Sequence, residues 1–267
     1  MTGEAGTTAG VPSEAAALGW LSRAGDTAAI LLDIEGTTAP MSFVREVLFP
    51  FARARVKGFF EVHGSSSEVA EIVDGLYEEH RTDLAEKLDP PRWDTIDDLD
   101  AAAAYVQWLM DRDRKSTPLK ILQGEIWQLG YRSGELQGEV FDDVPEALTR
   151  WHQHGHRVAI FSSGSVLAQE LLFANSTAGD LTPFINGYFD TTLGSKVQAA
   201  SYRRIAETLG VPAASLVFVS DVTKELAAAR TAGVQVFLSV RPGNNPQDDA
   251  GQYVQIRNLL EIAPGSA

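Results

Sequence analysis

The chain of 267 residues contains no cysteine. Disulfide bonds, thiolate catalysis and cysteine-based zinc or iron–sulfur sites are therefore excluded. Basic residues are also scarce, because 22 lysines and arginines face 36 acidic residues, for a formal net charge of −14. This balance disfavours binding to nucleic acid or to an anionic membrane, which both attract basic surfaces. A small anionic substrate fits only where a metal ion or a lysine makes its pocket locally positive.

Long hydrophobic runs are missing as well, since no apolar stretch approaches the roughly 20 residues of a membrane-spanning helix. Residues 1–26 lack the basic start and apolar block of a secretory signal, so we expect a flexible tail and a cytoplasmic protein. The length and the 44% hydrophobic content suit one sizeable domain with an accessory unit.

Three of the five histidines lie in the run WHQHGH, residues 151–156. A metal site is one interpretation of this run. We favour the end of a helix, with Gly155 as its C-terminal cap, because histidine is frequent in a last helical turn.

Four short apolar runs have the form of buried parallel strands. Three helical patterns alternate with them, which predicts an α/β fold with a doubly wound parallel sheet. Ligands of such sheets bind outside the carboxyl ends of the strands, where polar residues follow these runs. The predicted strands are 28–33, 157–163, 216–221 and 234–240, and the predicted helices are 144–152, 201–209 and 223–232.

The stretch from Met41 to Leu136 shows helical periodicity and almost no strand signal. It predicts a helical cap over 43–136, inserted into a core formed by 27–42 and 137–267. Apolar stripes, including Val44, Val47, Leu48, Phe51 and Phe59 and later Leu119, Leu122, Ile126 and Leu129, define its buried faces. We expect the charged segment at 78–100 to be a solvated helix face and loop.

The segment DIEGTT, residues 33–38, ends the first predicted strand on a carboxylate. An aspartate at such a strand end can attack phosphorus and form a mixed anhydride. Glu35 adds a second carboxylate, Gly36 allows a tight turn close to a ligand, and Thr37 adds a hydroxyl. An ordinary strand-to-turn junction is the alternative interpretation.

Three further elements carry chemistry only in combination. Ser162–Ser165, with the sequence SSGS, follow the second strand and form a possible anion site, although Ser-Gly turns are common. Lys196 could neutralise a nucleophile, although a single lysine is usually on the surface. Asp221 ends the third strand, with Glu225 four residues later, and suits either Mg²⁺ or a helix cap. The four elements in this order predict a phosphoryl-transfer centre.

This order resembles the haloacid dehalogenase superfamily of phosphatases over about residues 28–242. Most of those phosphatases have aspartate two residues after the nucleophile, where this chain has Glu35. With glutamate at this position, the chain resembles the enolase-phosphatases of methionine salvage. Several further segments over about residues 28–244 resemble that family too. These segments are SFVREVLFPFAR, DRKSTPLKILQGEIW, VAIFSSGSVLAQELLF, GYFDTTLGSKVQAASYRRIA and SVRPGN.

The resemblance implies a haloacid dehalogenase fold with its cap after the first strand, a monomer and one Mg²⁺ per chain. It implies that 2,3-diketo-5-methylthiopentyl-1-phosphate is enolised and then dephosphorylated to an acireductone through a phospho-aspartate. Asp33 would be the nucleophile and a metal ligand, and Asp221 the second carboxylate ligand. Glu35 would bind the metal through its carbonyl oxygen and act as an acid and base.

The resemblance also implies the residues that hold the substrate. Ser162 and Ser163 would bind its phosphate together with Lys196, which would also neutralise the nucleophile. Glu225 and Thr37 would lie directly behind these groups.

The base for enolisation stays open among Glu35, Lys115, Lys120 and Glu125. A small-molecule phosphatase without enolase activity is the main alternative function. A non-catalytic binding module is a weaker one, because Asp33 and the other chemical residues are present.

Overall fold

The computed structural model describes residues 27–262, so the predicted tail at 1–26 lies outside the described residues. The described chain divides into two compact units. The sheet unit contains 27–38, 141–161 and 183–262, and the helical unit contains 39–140 and 162–182. The proposed division into core and cap stays a prediction.

The sheet unit is built on six parallel strands in the order β3-β2-β1-β4-β5-β6. This architecture confirms the predicted fold class. All four predicted strands are present, with ends that differ from the expected ones by a residue or two. The strands are β1 (Ala29–Leu32), β2 (Arg157–Phe161), β3 (Gly187–Phe189), β4 (Leu216–Ser220), β5 (Gln235–Ser239) and β6 (Gln255–Ile256).

The α-helices between residues 27 and 262 include the three that were predicted in the sheet unit, which are α5, α7 and α8. No helix in this part of the chain has the length and apolarity needed to cross a membrane. The helices are α1 (Phe49–His63), α2 (Ser67–Ala85), α3 (Leu99–Asp111), α4 (Thr117–Ser133), α5 (Val144–Gln153), α6 (Val166–Ala174), α7 (Ala199–Leu209) and α8 (Thr223–Thr231).

The register of the central strands brings polar residues together at one edge of the sheet. Leu32 of β1 is level with Val219 of β4, so the residues that follow them, Asp33 and Ser220, lie side by side. Residues of α7 and α8 cover one face of the sheet, where they pack on Leu31 and Phe218. The core therefore fixes the strand ends that carry the predicted chemistry.

The sequence patterns missed β3, β6 and α6. The two strands have only three and two residues, which is too short for a periodic signal. Helix α6 begins after Ser165, whose hydroxyl accepts a hydrogen bond from the amide of Ala168 at 3.3 Å. The expected end of α5 is confirmed, because Gly155 follows it with a φ of +76°.

The helical unit corrects two of the expected apolar stripes. Val47 and Leu129 are 38% and 39% exposed. Val47 lies in a π-helix, Phe43–Leu48, whose wider turn does not keep residues three and four apart on one face. Leu129 lies at the edge of the buried face of α4. Helix α4 is capped by Ser116, whose hydroxyl accepts from the Leu119 amide at 3.2 Å.

The charged segment at 78–100 was expected to be solvated, and this is wrong for two of its polar residues. His80 is fully buried, with its ring in edge contact with Trp93 and Tyr105. Asp83 is 1% exposed and accepts a hydrogen bond from the Tyr105 hydroxyl at 2.7 Å. Trp93, from the loop after α2, and Tyr105, from α3, therefore cover one face of a helix whose local sequence is polar.

Candidate active site

Asp33 lies directly after β1 and is 4% exposed. Its Oδ1 accepts from the Ile34 amide at 2.7 Å and lies 2.6 Å from Nζ of Lys196. Its Oδ2 is 3.2 Å from the Ser220 hydroxyl. The carboxylate is therefore held mainly through Oδ1, and Oδ2 is the less constrained oxygen.

Lys196 places a buried ammonium between two carboxylates. Its Nζ also lies 2.8 Å from Oε2 of Glu225, and its backbone carbonyl accepts from the Tyr202 hydroxyl at 2.6 Å. The structure thus brings the predicted nucleophile and the predicted lysine into direct contact. Glu225 lies close to both groups, because Oε2 contacts this ammonium and also lies 2.9 Å from the Ser220 hydroxyl, and its role behind them stays a prediction.

Burial and neighbouring charges shift the pKa values of Asp221, Glu225 and Lys196. Burial raises the pKa of Asp221 to about 7, and the charges of Asp33 and Glu35 act in the same direction. Burial and the charge of Asp33 likewise raise the pKa of Glu225 to about 7. Burial alone would lower the pKa of Lys196, but the nearby charges of Asp33 and Glu225 outweigh it and raise that pKa.

The residues present fit a magnesium ion. Asp33 and Asp221 are buried carboxylates whose mutual repulsion a cation would relieve, and hard oxygen ligands are what Mg²⁺ prefers. A Cβ added to Gly36 would lie 2.7 Å from Oδ2 of Asp221, so only glycine lets the backbone come this close to the carboxylate. Within 27–262 no three His, Asp or Glu side chains converge as a metal site, and the expected third ligand, the backbone carbonyl of Glu35, stays a prediction.

Glu35 and Thr37 lie in the loop after the nucleophile. Glu35 is partly exposed, and its negative charge contributes to the raised pKa of Asp221. Thr37 is fully buried, and its hydroxyl has no hydrogen-bond partner among residues 27–262. The neighbouring Thr38 hydroxyl donates to the carbonyl of Asp33 at 3.0 Å, which closes the turn.

The predicted phosphate-binding serines belong to the helical unit, in the loop between β2 and α6. Ser162 is buried, and its hydroxyl accepts from the Gly164 amide at 3.1 Å, whereas Ser163 is exposed. Lys120 donates from Nζ to the carbonyl of Ser163 at 2.9 Å. The phosphate-binding role of both serines stays a prediction.

Sequence reasoning missed the side chains that hold the nucleophile loop from the segment after β5. Arg241 is 7% exposed, forms a two-pronged pair with Asp143 at 2.8 Å, and donates to the carbonyl of Thr37 from Nη2 at 3.1 Å. Ser239 and Asn244 each donate to the carbonyl of Gly36 at 2.9 Å. The run SVRPGN carries part of the family resemblance, but nothing in its local pattern indicates these contacts.

Comparisons with known proteins identify the family of the chain. Residues 27–233 match the family model of the haloacid dehalogenase-like hydrolases. The chain is 54% identical over 233 residues to Enolase-phosphatase E1 of Synechococcus elongatus, a match that covers 87% of this chain and 96% of that protein. It is 46% identical over 230 residues to Enolase-phosphatase E1 of Drosophila pseudoobscura pseudoobscura, covering 84% and 89% of the two chains.

A solved structure extends the likeness to the fold. The chain superposes on the UTR4 protein of Saccharomyces cerevisiae with a TM-score of 0.70 and 34% identity. That match covers 87% of this chain and 98% of the yeast one.

Proposed function

The chain belongs to the haloacid dehalogenase-like hydrolases and, within them, to the enolase-phosphatases, and from this premise we propose that it converts 2,3-diketo-5-methylthiopentyl-1-phosphate into the acireductone 1,2-dihydroxy-3-keto-5-methylthiopentene and inorganic phosphate. The observation that carries the proposal is the buried contact of 2.6 Å between Asp33 and Lys196 at the end of β1. It holds the carboxyl group that would attack phosphorus against a buried ammonium.

Asp33 attacks phosphorus through Oδ2, while Oδ1 stays bound to Lys196 and to the Ile34 amide. The Ser220 hydroxyl has one hydrogen and lies 2.9 Å from Oε2 of Glu225, so donation to Glu225 leaves the lone pairs of Oδ2 available. A new P–O bond to Asp33 forms as the bond to the leaving oxygen breaks. Water then attacks the phospho-aspartate, releases phosphate and restores the carboxylate.

The proposed metal ligands are the carboxylates of Asp33 and Asp221 and the backbone carbonyl of Glu35. The bound cation would supply positive charge that reduces the repulsion between Asp33 and the substrate phosphate. The raised pKa of Asp221 supports this assignment, because it reflects excess negative charge in a buried place. Lys196, Ser162 and Ser163 bind the phosphoryl oxygens, and Glu35 protonates the leaving oxygen and later takes a proton from water.

Enolisation requires a base and a group that stabilises the enolate oxygen. Lys120 donates a hydrogen bond to the serine loop, which suits an ammonium that stabilises negative charge better than a group that removes a proton. Glu35 then remains the better candidate for the base. Lys115 is exposed and Glu125 is partly buried, and neither has a contact that points to this role.

We also propose one magnesium ion per chain, a monomeric enzyme and a cytoplasmic location. The strongly acidic composition supports a small metabolite as the partner rather than nucleic acid or a membrane. Sedimentation at several protein concentrations measures the oligomeric state, and a concentration-independent mass of one chain is the expected result.

The test of function measures both products from the diketone phosphate, with Mg²⁺ and with chelator. Acireductone and phosphate should appear in equal amounts with Mg²⁺, and neither should form with chelator. Phosphate from sugar phosphates but none from the diketone would favour a phosphatase without enolase activity. No turnover of any ester would favour the binding module.

A further inference from the structure

The segment Ser239–Asn244 holds the loop that carries the nucleophile. The Ser239 hydroxyl and Nδ2 of Asn244 both donate to the carbonyl of Gly36, each at 2.9 Å. Arg241 donates to the next carbonyl, that of Thr37, from Nε at 3.3 Å and from Nη2 at 3.1 Å. Two successive carbonyls directly after Glu35 are therefore fixed by side chains about 200 residues away in sequence.

Asn244 differs from the other two side chains because half of its amide is unused. Nδ2 donates a second hydrogen bond to the carbonyl of Ser239 at 3.1 Å. Two carbonyl acceptors fix which end of the amide is nitrogen, so Oδ1 points the other way. That oxygen is buried and meets no hydrogen-bond donor anywhere in 27–262.

The unused oxygen of Asn244 points towards the predicted metal ligands. A Cβ added to Gly36 would lie 2.6 Å from Oδ1 of Asn244 and 2.7 Å from Oδ2 of Asp221, so both oxygens border the same point. Gly36 has a φ of +68°, which keeps this position free of a side chain. A buried acceptor without a donor is uncommon in folded proteins, and this one borders the predicted metal ligands, so a donor that binds there with the cation would satisfy it.

We propose that Asn244 is a positioning residue of the magnesium site. Its Nδ2 fixes the turn that carries the carbonyl of Glu35, and its Oδ1 accepts a hydrogen bond from water that enters with the hydrated cation. Mg²⁺ keeps several of its waters when it binds to proteins, and such waters need acceptors. The inference rests on the proposed function, because it assumes the site at Asp33 and Asp221.

Ser239 provides the matched control. It donates to the same Gly36 carbonyl at the same distance, but its hydroxyl is not among the three atoms nearest to the point beside Asp221. If Asn244 acts only as a clamp on the loop, removing either side chain should have the same effect on magnesium affinity. If its Oδ1 serves the cation, removal of Asn244 should weaken magnesium much more than removal of Ser239.

The experiment titrates the full chain with MgCl₂ by calorimetry, without substrate, and records thermal unfolding without metal. We expect Asn244→Ala to weaken magnesium about tenfold and Ser239→Ala less than about threefold. Their unfolding temperatures without metal should fall by similar amounts. If Asn244→Ala does not fold, Asn244→Ser, which keeps a short hydroxyl, is titrated with MgCl₂ in its place.

Wild-type affinity in Asn244→Ala, or equal weakening in Ser239→Ala, would overturn the inference. Asp221→Asn separates this failure from failure of the proposed site. If wild type binds magnesium and Asp221→Asn does not, the site stands and only the role of Asn244 is in question. If wild type and Asp221→Asn give the same titration, the proposed site itself is wrong.

Discussion

Each unit of this protein contains a buried cluster of charged side chains, and the two clusters differ in their balance of charge. In the helical unit, Asp83 accepts from Tyr105 at 2.7 Å and from Arg114 at 2.8 Å, and Arg114 lies 3.7 Å from Glu79. Glu79 also accepts from the Ser116 hydroxyl at 2.5 Å. Each carboxylate of this helical-unit cluster has donors, and Arg114 is partly exposed to water.

The sheet-unit cluster, made of Asp33, Lys196, Ser220, Asp221 and Glu225, has one cation for three carboxyl groups. Burial and this excess of negative charge together raise the pKa values of Asp221 and Glu225. The carboxylates of Asp83 and Glu79, by contrast, each accept hydrogen bonds from nearby donors. Buried charge is costly unless it is paired. The helical-unit cluster has one cation for two carboxylates, and that cation is partly exposed, so its charges stabilise the fold without a further partner. The sheet-unit cluster has a larger and more deeply buried excess of negative charge, which suits a cation.

The largest effect should follow from Asp33→Asn, which removes the nucleophile. We expect phosphate release to fall at least about 1000-fold, because loss of a covalent nucleophile is rarely compensated. The unfolding temperature should stay the same or rise, since one negative charge leaves a cluster with too many. Phosphate assays and thermal denaturation measure both quantities, and activity within tenfold of wild type would remove Asp33 from the mechanism.

Asp83→Ala in the helical-unit cluster should lower the stability of the protein and leave its chemistry intact. Removing one partner of a buried ion pair costs about 3–5 kcal/mol, and we expect about 2–3 kcal/mol because Arg114 reaches solvent. The chemistry at Asp33 should be retained at temperatures where the variant is folded.

Asp94→Ala is the matched control for this experiment, because Asp94 pairs with Arg92 in an exposed position. Its unfolding free energy should change by less than about 0.5 kcal/mol. Denaturant unfolding compares the two variants, and equal stability would mean that the helical-unit cluster does not hold its helices together.

Magnesium should stabilise the protein through the sheet-unit cluster alone. At about 100 times its dissociation constant a ligand adds about 2.7 kcal/mol to the free energy of unfolding. Wild type and Asp83→Ala should both gain this increment, whereas Asp221→Asn should gain almost none. Thermal unfolding with and without MgCl₂ measures the gain, and an equal shift in Asp221→Asn would place the cation elsewhere.

The two clusters also differ in how much of them the sequence predicts. Asp33 and Asp221 each end a continuous apolar run, so the strand pattern alone brings them to one sheet edge. Lys196 has no such signal and was selected only through the order of the motifs. The contacts of Arg241 join residues about 200 positions apart, and no local pattern encodes them.

The helical-unit cluster was not predicted at all. The segment around Asp83 is rich in charge, and a polar helix face usually lies in water. Its burial depends on Trp93 and Tyr105, whose packing is set by tertiary structure rather than by the spacing of neighbours. Helical periodicity describes one helix at a time and does not identify what covers it.

A pair of tyrosines gives the smallest and sharpest comparison. Tyr105 donates to Asp83 in one cluster, and Tyr202 donates to the carbonyl of Lys196 in the other at 2.6 Å. Tyr105→Phe and Tyr202→Phe should each lower the free energy of unfolding by about 1 kcal/mol, the usual net value of a hydrogen bond. Only Tyr202→Phe should also lower kcat, because the lysine that orients Asp33 loses its support. Equal kcat in both variants would show that Lys196 is held in place without Tyr202.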